Sequence, residues 1–275
     1  MEYFLRLGVL GECPIINIDS ERFSLLKSSR YILSEALAIE EEYEMVISNY
    51  FDLENESISI SISHMIRNHR AYVDFFDARL ALNRRFMNLL TSTRLYTDKL
   101  ASHCVACLPK ERGIEERVNH LFSTAYDNSF DYRFMGALRN YIQHYGTAVH
   151  RITFGGRWTS LDEKGLLEYS SSFTAEKKIL ASDGQFKKRV LYEMPEKIDL
   201  ISISRGYIEA LSIIHINARQ IISKSVNESR FSIQSAMDDY KSAYTKDLVG
   251  LTAYRFDGDS KKDEVLVFLN WDDIR

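Results

Sequence analysis

The stretch Tyr72-Val-Asp-Phe-Phe76-Asp-Ala-Arg-Leu80-Ala-Leu-Asn83-Arg-Arg-Phe-Met87-Asn-Leu-Leu90 decides the fold class. It lies in a run from Asn68 to Leu108 that holds neither proline nor glycine, and Tyr72, Phe76, Leu80, Asn83, Met87 and Leu90 recur every three or four residues. That spacing follows the 3.6-residue turn of an α-helix. The run therefore predicts one long helix, the longest of the chain, with this stripe turned toward a core.

The same logic extends outward. Asp19-Ser-Glu-Arg22 is a helix start, and Leu26, Leu33 and Leu37 keep helical spacing toward Tyr50. Residues 54–65 alternate isoleucine with serine, which alone signals a strand; set between helices and far from a partner strand, the segment reads as a polar helix end or a loop. Pro109 and Gly113 break the chain, Val118, Leu121 and Phe122 mark a shorter helix, and Asn128-Ser129 offers an N-cap for a further helix that Gly146 ends.

Beyond Gly146 the composition turns β-branched and aromatic over residues 147–154 and 166–173, with Gly155-Gly156 between them, predicting a small antiparallel insert over 147–180. Ile198, Ile201, Ile208, Leu211, Ile214 and Ala218 form another helical stripe, followed by a shorter helix around Ser232–Tyr244, so 181–245 reads as further helices. Leu251–Phe256 and Glu264–Trp271 flank Asp257-Gly-Asp-Ser-Lys-Lys262 as a β-hairpin with a longer loop, within 250–271. The expected architecture is a mainly α, long-helix bundle forming a single domain over 1–275, with a small antiparallel β insert and a C-terminal β-hairpin.

Composition narrows function. With 45% hydrophobic residues the chain can bury a core, and its 3 prolines and 12 glycines leave long uninterrupted runs. A net charge of −4 argues against general nucleic-acid coating, which draws its affinity from many lysine and arginine contacts to phosphate, while leaving room for a small basic site. Met1-Glu-Tyr-Phe-Leu-Arg-Leu7 lacks a basic signal-peptide start, Glu12 before Cys13 does not suit lipoprotein cleavage, and no apolar run approaches the roughly 18 residues that span a bilayer. A soluble, cytoplasmic protein without membrane contact is expected.

Three cysteines suit a reducing compartment. Cys104-Val-Ala-Cys107 beside His103 has no second cysteine pair to complete a zinc site and reads as packing thiols inside a helix. Glu40-Glu41-Glu42 reads as a solvated helix face, and His150 as the start of a strand. No phosphate-binding glycine loop, His-Glu-x-x-His or nucleophile elbow occurs, so no metal or cofactor is expected.

The chemistry-bearing stretch is Phe134-Met-Gly-Ala-Leu-Arg139-Asn-Tyr-Ile-Gln-His144-Tyr145. With Leu138 and Ile142 turned toward a core, Asn140 and His144 fall on the opposite helix face with Arg139 beside them. Arginine presents a rigid fork for phosphate and histidine changes charge near neutral pH, the parts needed for acid–base work on a phosphodiester. Gly136-Ala137 would permit close approach of a partner helix. On the long helix, Asn83 falls in the apolar stripe and predicts a buried hydrogen bond, while Arg84 and Arg85 could extend a phosphate track; Lys187, Lys188 and Arg189 form the densest basic patch.

Leu138-Arg-Asn-Tyr-Ile-Gln-His144 resembles the HEPN superfamily (higher eukaryote and prokaryote nucleotide-binding), whose ribonucleases carry arginine, a polar residue and histidine at this spacing. The resemblance covers residues 19–146, and Ala137–His150 is also similar to a stretch of bacterial proteins. It implies a HEPN-like helical core, a homodimer whose two motifs share one cleft, and metal-independent RNA cleavage by Arg139, Asn140 and His144. The substrate-binding residues would be Arg84, Arg85, Lys187, Lys188 and Arg189. A toxin–antitoxin pair with a protein antitoxin or regulator as partner, phage defence and housekeeping all stay open as settings. The alternative is a non-catalytic helical module that binds protein or nucleic acid.

Overall fold

The computed structural model describes residues 1–9, 11–67, 72–162, 164–182, 184–244 and 247–269. Asn68–Ala71 of the expected long helix and Trp271 of the expected hairpin lie outside the described residues, as do Glu163, Asp183 and Thr245. The chain is a mainly helical bundle, 65% helical, with a small antiparallel β insert and a C-terminal β-hairpin. The helices are α1 (Ser20–Ile66), α2 (Tyr72–Cys107), α3 (Ile114–Asn128), α4 (Phe130–His144), α5 (Lys177–Ser182), α6 (Lys188–Glu193) and α7 (Leu200–Ala243). The strands are β1 (Glu2–Leu7), β2 (Ile16–Asn17), β3 (Arg151–Trp158), β4 (Leu167–Glu176), β5 (Lys197–Asp199), β6 (Leu251–Asp257) and β7 (Ser260–Leu266).

Two compact units divide the chain. The first holds residues 1–41, 99–118 and 217–275. In it the antiparallel sheet β2-β1-β6-β7 sets Leu5 against Ala253 and Leu7 against Leu251. Leu5, Leu7, Leu251 and Val265 share a buried cluster with Phe23, Leu26 and Leu33 of α1 and with Ile233, Ala236 and Tyr240 of α7. The Tyr240 hydroxyl donates to the Pro14 carbonyl at 2.8 Å, which satisfies a phenol that burial would otherwise strand.

The second unit holds residues 42–98 and 119–216. Its fully buried side chains include Val46 and Leu53 of α1, Leu82, Phe86, Leu89 and Tyr96 of α2, Phe134 and Leu138 of α4, and Leu211 of α7. Strands β3, β4 and β5 form its antiparallel sheet. A Cβ at Gly206 would collide with the Asp131 carboxylate, so this glycine is what lets α4 lie close to α7.

Several expectations need correction. The long helix over 72–107 exists, but at 36 residues it is shorter than α1 (47) and α7 (44). Of the two alternatives for the isoleucine–serine run, the polar helix end holds and the loop does not: the run closes α1, and its serines fold back onto helix carbonyls, Ser57 Oγ to Glu54 O at 2.8 Å and Ser61 Oγ to Ser57 O at 2.7 Å. The expected short helix at Ser232–Tyr244 is the last part of one unbroken α7.

The core stripe of α2 is the expected one only at Leu90, which is buried, and in part at Asn83. Tyr72, Phe76, Leu80 and Met87 are exposed, whereas Leu82, Phe86, Leu89, Thr93, Tyr96 and Leu100 are buried. Both series repeat at helical spacing, and only packing partners distinguish them.

The C-terminal hairpin turns through Gly258-Asp259 alone, with Gly258 at φ 55°, so the longer loop gives way to a two-residue turn. The hairpin is half of a sheet: β1 pairs with β6 along its whole length.

Candidate functional site

Helix α4 begins where expected. The Ser129 hydroxyl accepts from the Tyr132 N–H at 3.1 Å, and Ser129 itself is extended, as an N-cap should be. Phe134, Met135, Ala137, Leu138 and Tyr141 face inward, and Tyr145 closes the helix by donating its N–H to Tyr141 O at 2.8 Å. Gly146 follows because a Cβ there would fall 2.6 Å from the Tyr141 hydroxyl.

That burial turns Asn140 and His144 outward, and both are exposed. Arg139 lies half-buried between the two faces: its Nη1 donates to Asn140 Oδ1 at 3.1 Å, while Nε is buried without a protein acceptor. The guanidinium is thereby held from one side by Asn140. The His144 ring meets Tyr145 edge-on at 5.9 Å. Gly136 faces open space, with nothing within 4 Å of an added Cβ, so no helix among the described residues uses the close approach it permits.

Residues distant in sequence complete the surroundings of Arg139. Tyr132 and Tyr207 pack ring to ring at 5.6 Å. Burial pushes the Tyr207 hydroxyl up, against the pull of Thr93, Arg139 and Arg94, and pushes Tyr132 up to about 12 against Arg94. Both phenols therefore stay protonated beside two arginines. Arg94, which also pairs with Asp98 at 2.7 Å, comes from α2 and Tyr207 from α7. Nothing in the local pattern around residue 139 announces either.

The other basic candidates occupy separate places. Arg85 binds Asp52 at 2.7 Å and Glu56 at 3.2 Å on α1, so its charge is already shared; Arg84 is exposed on the next position. The Gln185–Arg189 segment runs along α4: Tyr145 reaches Gln185 at 3.4 Å, and Phe186 is buried against Phe134 and Tyr141. Lys187 then stands 4.5 Å over the Tyr126 ring, and Arg189 pairs with Glu193 at 3.1 Å. Arg133 anchors this end through Glu193 at 2.6 Å and the carbonyls of Tyr126 and Asp127. The Lys187-Lys188-Arg189 patch thus lies at the opposite end of α4 from His144, with Lys188 exposed.

Asn83 makes the expected hydrogen bonds, accepting from Val149 N–H and donating to Arg79 O, both at 2.9 Å. His150 is a structural histidine at the foot of β3. Its Nδ1 accepts from the Glu176 N–H at 2.9 Å, which requires the neutral ring. Burial lowers its pKa, outweighing the Thr147 carbonyl and Glu176, which favour the charged ring. As pH falls below about 6.5 the unfolded chain binds a proton that the folded chain refuses, so stability should decline with acid over that window by at most about 1.4 kcal/mol per pH unit. Urea midpoints compared at pH 7.5 and 5.5 should show this slope reduced in His150→Asn, which keeps an acceptor but does not titrate; equal slopes would count against the assignment.

Cys104 and Cys107 are buried one turn apart, and burial pushes both thiols up to about 12, which keeps them unreactive. Their neighbour His103 bonds Glu35 at 2.7 Å. Among the described residues no group of three or more His, Cys, Asp or Glu side chains is disposed to hold a metal ion. No helix among them is long and apolar enough to cross a membrane. A crevice of about 300 Å³ opens in the second unit between His64, Asp74, Phe75, Asp77 and Phe154 and includes none of Arg139, Asn140 or His144.

No family model, curated protein or solved structure matches the chain. Any functional argument therefore rests on the side chains themselves.

Proposed function

We propose that this protein is a metal-independent endoribonuclease that works as a homodimer through Arg139, Asn140 and His144, as the resemblance to HEPN ribonucleases implies. The observation that carries the proposal is the α4 surface, where His144 and Asn140 stand exposed and the Arg139 guanidinium is hydrogen-bonded to Asn140 at 3.1 Å. In the reaction, His144 of one protomer takes the proton of a ribose 2′-hydroxyl. The 2′-oxygen attacks phosphorus, and the P–O5′ bond breaks. His144 of the second protomer protonates the departing 5′-oxygen, leaving a 2′,3′-cyclic phosphate and a 5′-hydroxyl. Arg139 holds the non-bridging oxygens as negative charge builds, and Asn140 fixes Arg139. Lys188 and its neighbours would track the RNA backbone at the far end of α4, with affinity falling as salt rises.

The test is incubation of the purified chain with single-stranded RNA, with and without EDTA. Cleavage ending in cyclic phosphate, unchanged by EDTA and blocked by a 2′-deoxy nucleotide at the cut site, is the expected result. Wild-type protein that cuts no RNA overturns it in favour of a non-catalytic interaction module.

A further inference from the structure

We propose that the outward face of α2, from Val73 to Met87, is the contact surface between two copies of this chain, paired antiparallel about a two-fold axis. Val73 is 57% exposed, Phe76 45%, Leu80 59% and Met87 52%, although all are large and apolar. They occupy positions 73, 76, 80 and 87, steps of three, four and seven residues along one helix face, and Asn83 between them is half-buried and bonded to Val149 of its own chain. The inward seam of α2, from Leu82 through Phe86 and Leu89 to Tyr96, is separate and already covered. A contiguous apolar helix face left open to water marks an interaction site.

Charge selects both the occupant and its direction. Asp77 and Arg84 are exposed, lie seven residues apart and so share one flank of the apolar stripe. In an antiparallel pair this flank meets the same flank of the second copy. The register that sets Phe76 against the partner's Met87 sets Asp77 against the partner's Arg84, and symmetry makes the contact twice. A parallel pair would instead bring Arg79 toward the partner's Arg84, like against like. A surface that complements itself in this way fits a second copy of the chain.

The pairing also deepens the cleavage proposal, and in this one respect rests on it. Arg94 of α2 acts on Tyr132 near the start of α4, while Asn83 of α2 holds Val149 just past the end of α4. Helix α4 thus runs alongside α2 from Arg94 toward Asn83. The two-fold axis would pass between Leu80 and Asn83, so the end of α4 that bears His144 is the end nearer the axis.

Sedimentation velocity on the full chain tests the surface. Wild type should be dimeric at about 10 μM, and Leu80→Glu should be monomeric with an unchanged circular dichroism spectrum, since the side chain is exposed. Asp77→Arg and Arg84→Asp should each raise the dimer Kd about tenfold or more, and the double exchange should restore it to within about threefold. A wild-type monomer at about 100 μM, a dimer that survives Leu80→Glu, or a double exchange no better than the single variants overturns the proposal. Activity is read separately. Loss of the dimer in a protein that never cut RNA leaves this interface standing and removes the nuclease, whereas a monomeric Leu80→Glu that still cuts at full rate removes the shared site alone.

Discussion

His144→Ala is expected to slow RNA cleavage by about 10²- to 10⁴-fold, the usual contribution of a positioned general acid or base. The fold should be unaffected, because the ring is exposed and makes only an edge contact with Tyr145. Arg139→Lys should cost about 10²-fold despite keeping its charge: an ammonium cannot bond Asn140 and also present a second pair of donors to phosphate. Mixing His144→Ala with wild type gives a sharper check. If each cleft uses both protomers, heterodimers of His144→Ala and wild type should fall below the activity of the wild-type fraction alone. Initial rates on a labelled RNA measure all of these. A His144→Ala protein that cleaves at the wild-type rate rules out the proposed chemistry, and one that unfolds shows that His144 serves the structure.

Phe86→Ala should destabilise the chain by about 3–5 kcal/mol, since it removes a large ring from a fully buried position and leaves a cavity that long, stiff helices cannot close. Phe76→Ala, ten residues earlier on the same helix, should change the stability of the monomer by no more than about 0.5 kcal/mol. Urea unfolding at sub-micromolar protein compares them, because dilution removes the stability that self-association would add. A larger loss for Phe76→Ala than for Phe86→Ala would mean that Phe76 rather than Phe86 faces the core.

That pair of phenylalanines also marks the limit of the sequence. Absence of proline and glycine and a three-to-four spacing are local properties, and they were enough to establish that α2 is a helix. Leu82, Phe86 and Leu89 repeat as regularly as Phe76, Leu80 and Met87, however, so periodicity by itself could not say which stripe is buried. Burial depends on neighbours contributed by segments far away in the chain. The isoleucine–serine run, which its setting marked as a helix end or a loop, shows a related limit: alternation describes a strand only where a partner supplies hydrogen bonds, and here the serines bond their own helix instead.

The sequence alone settled the features whose causes are local: the helical class, the Ser129 cap, the outward phase of Asn140 and His144 relative to Leu138, and the hydrogen-bonding role of Asn83. Tertiary structure decided the rest. It paired β1 with β6 across most of the chain, brought Arg94 and Tyr207 to Arg139, and set the Lys187–Arg189 patch at the other end of α4 from His144. It also separated the neighbouring arginines into one whose charge α1 shares, the half-buried Arg85, and one left exposed on α2, Arg84. The physical reason is the range of the forces. Helix propensity, capping and the turn angle act within a few residues, whereas burial, pairing and charge compensation are set by whichever surfaces the folded chain brings into contact.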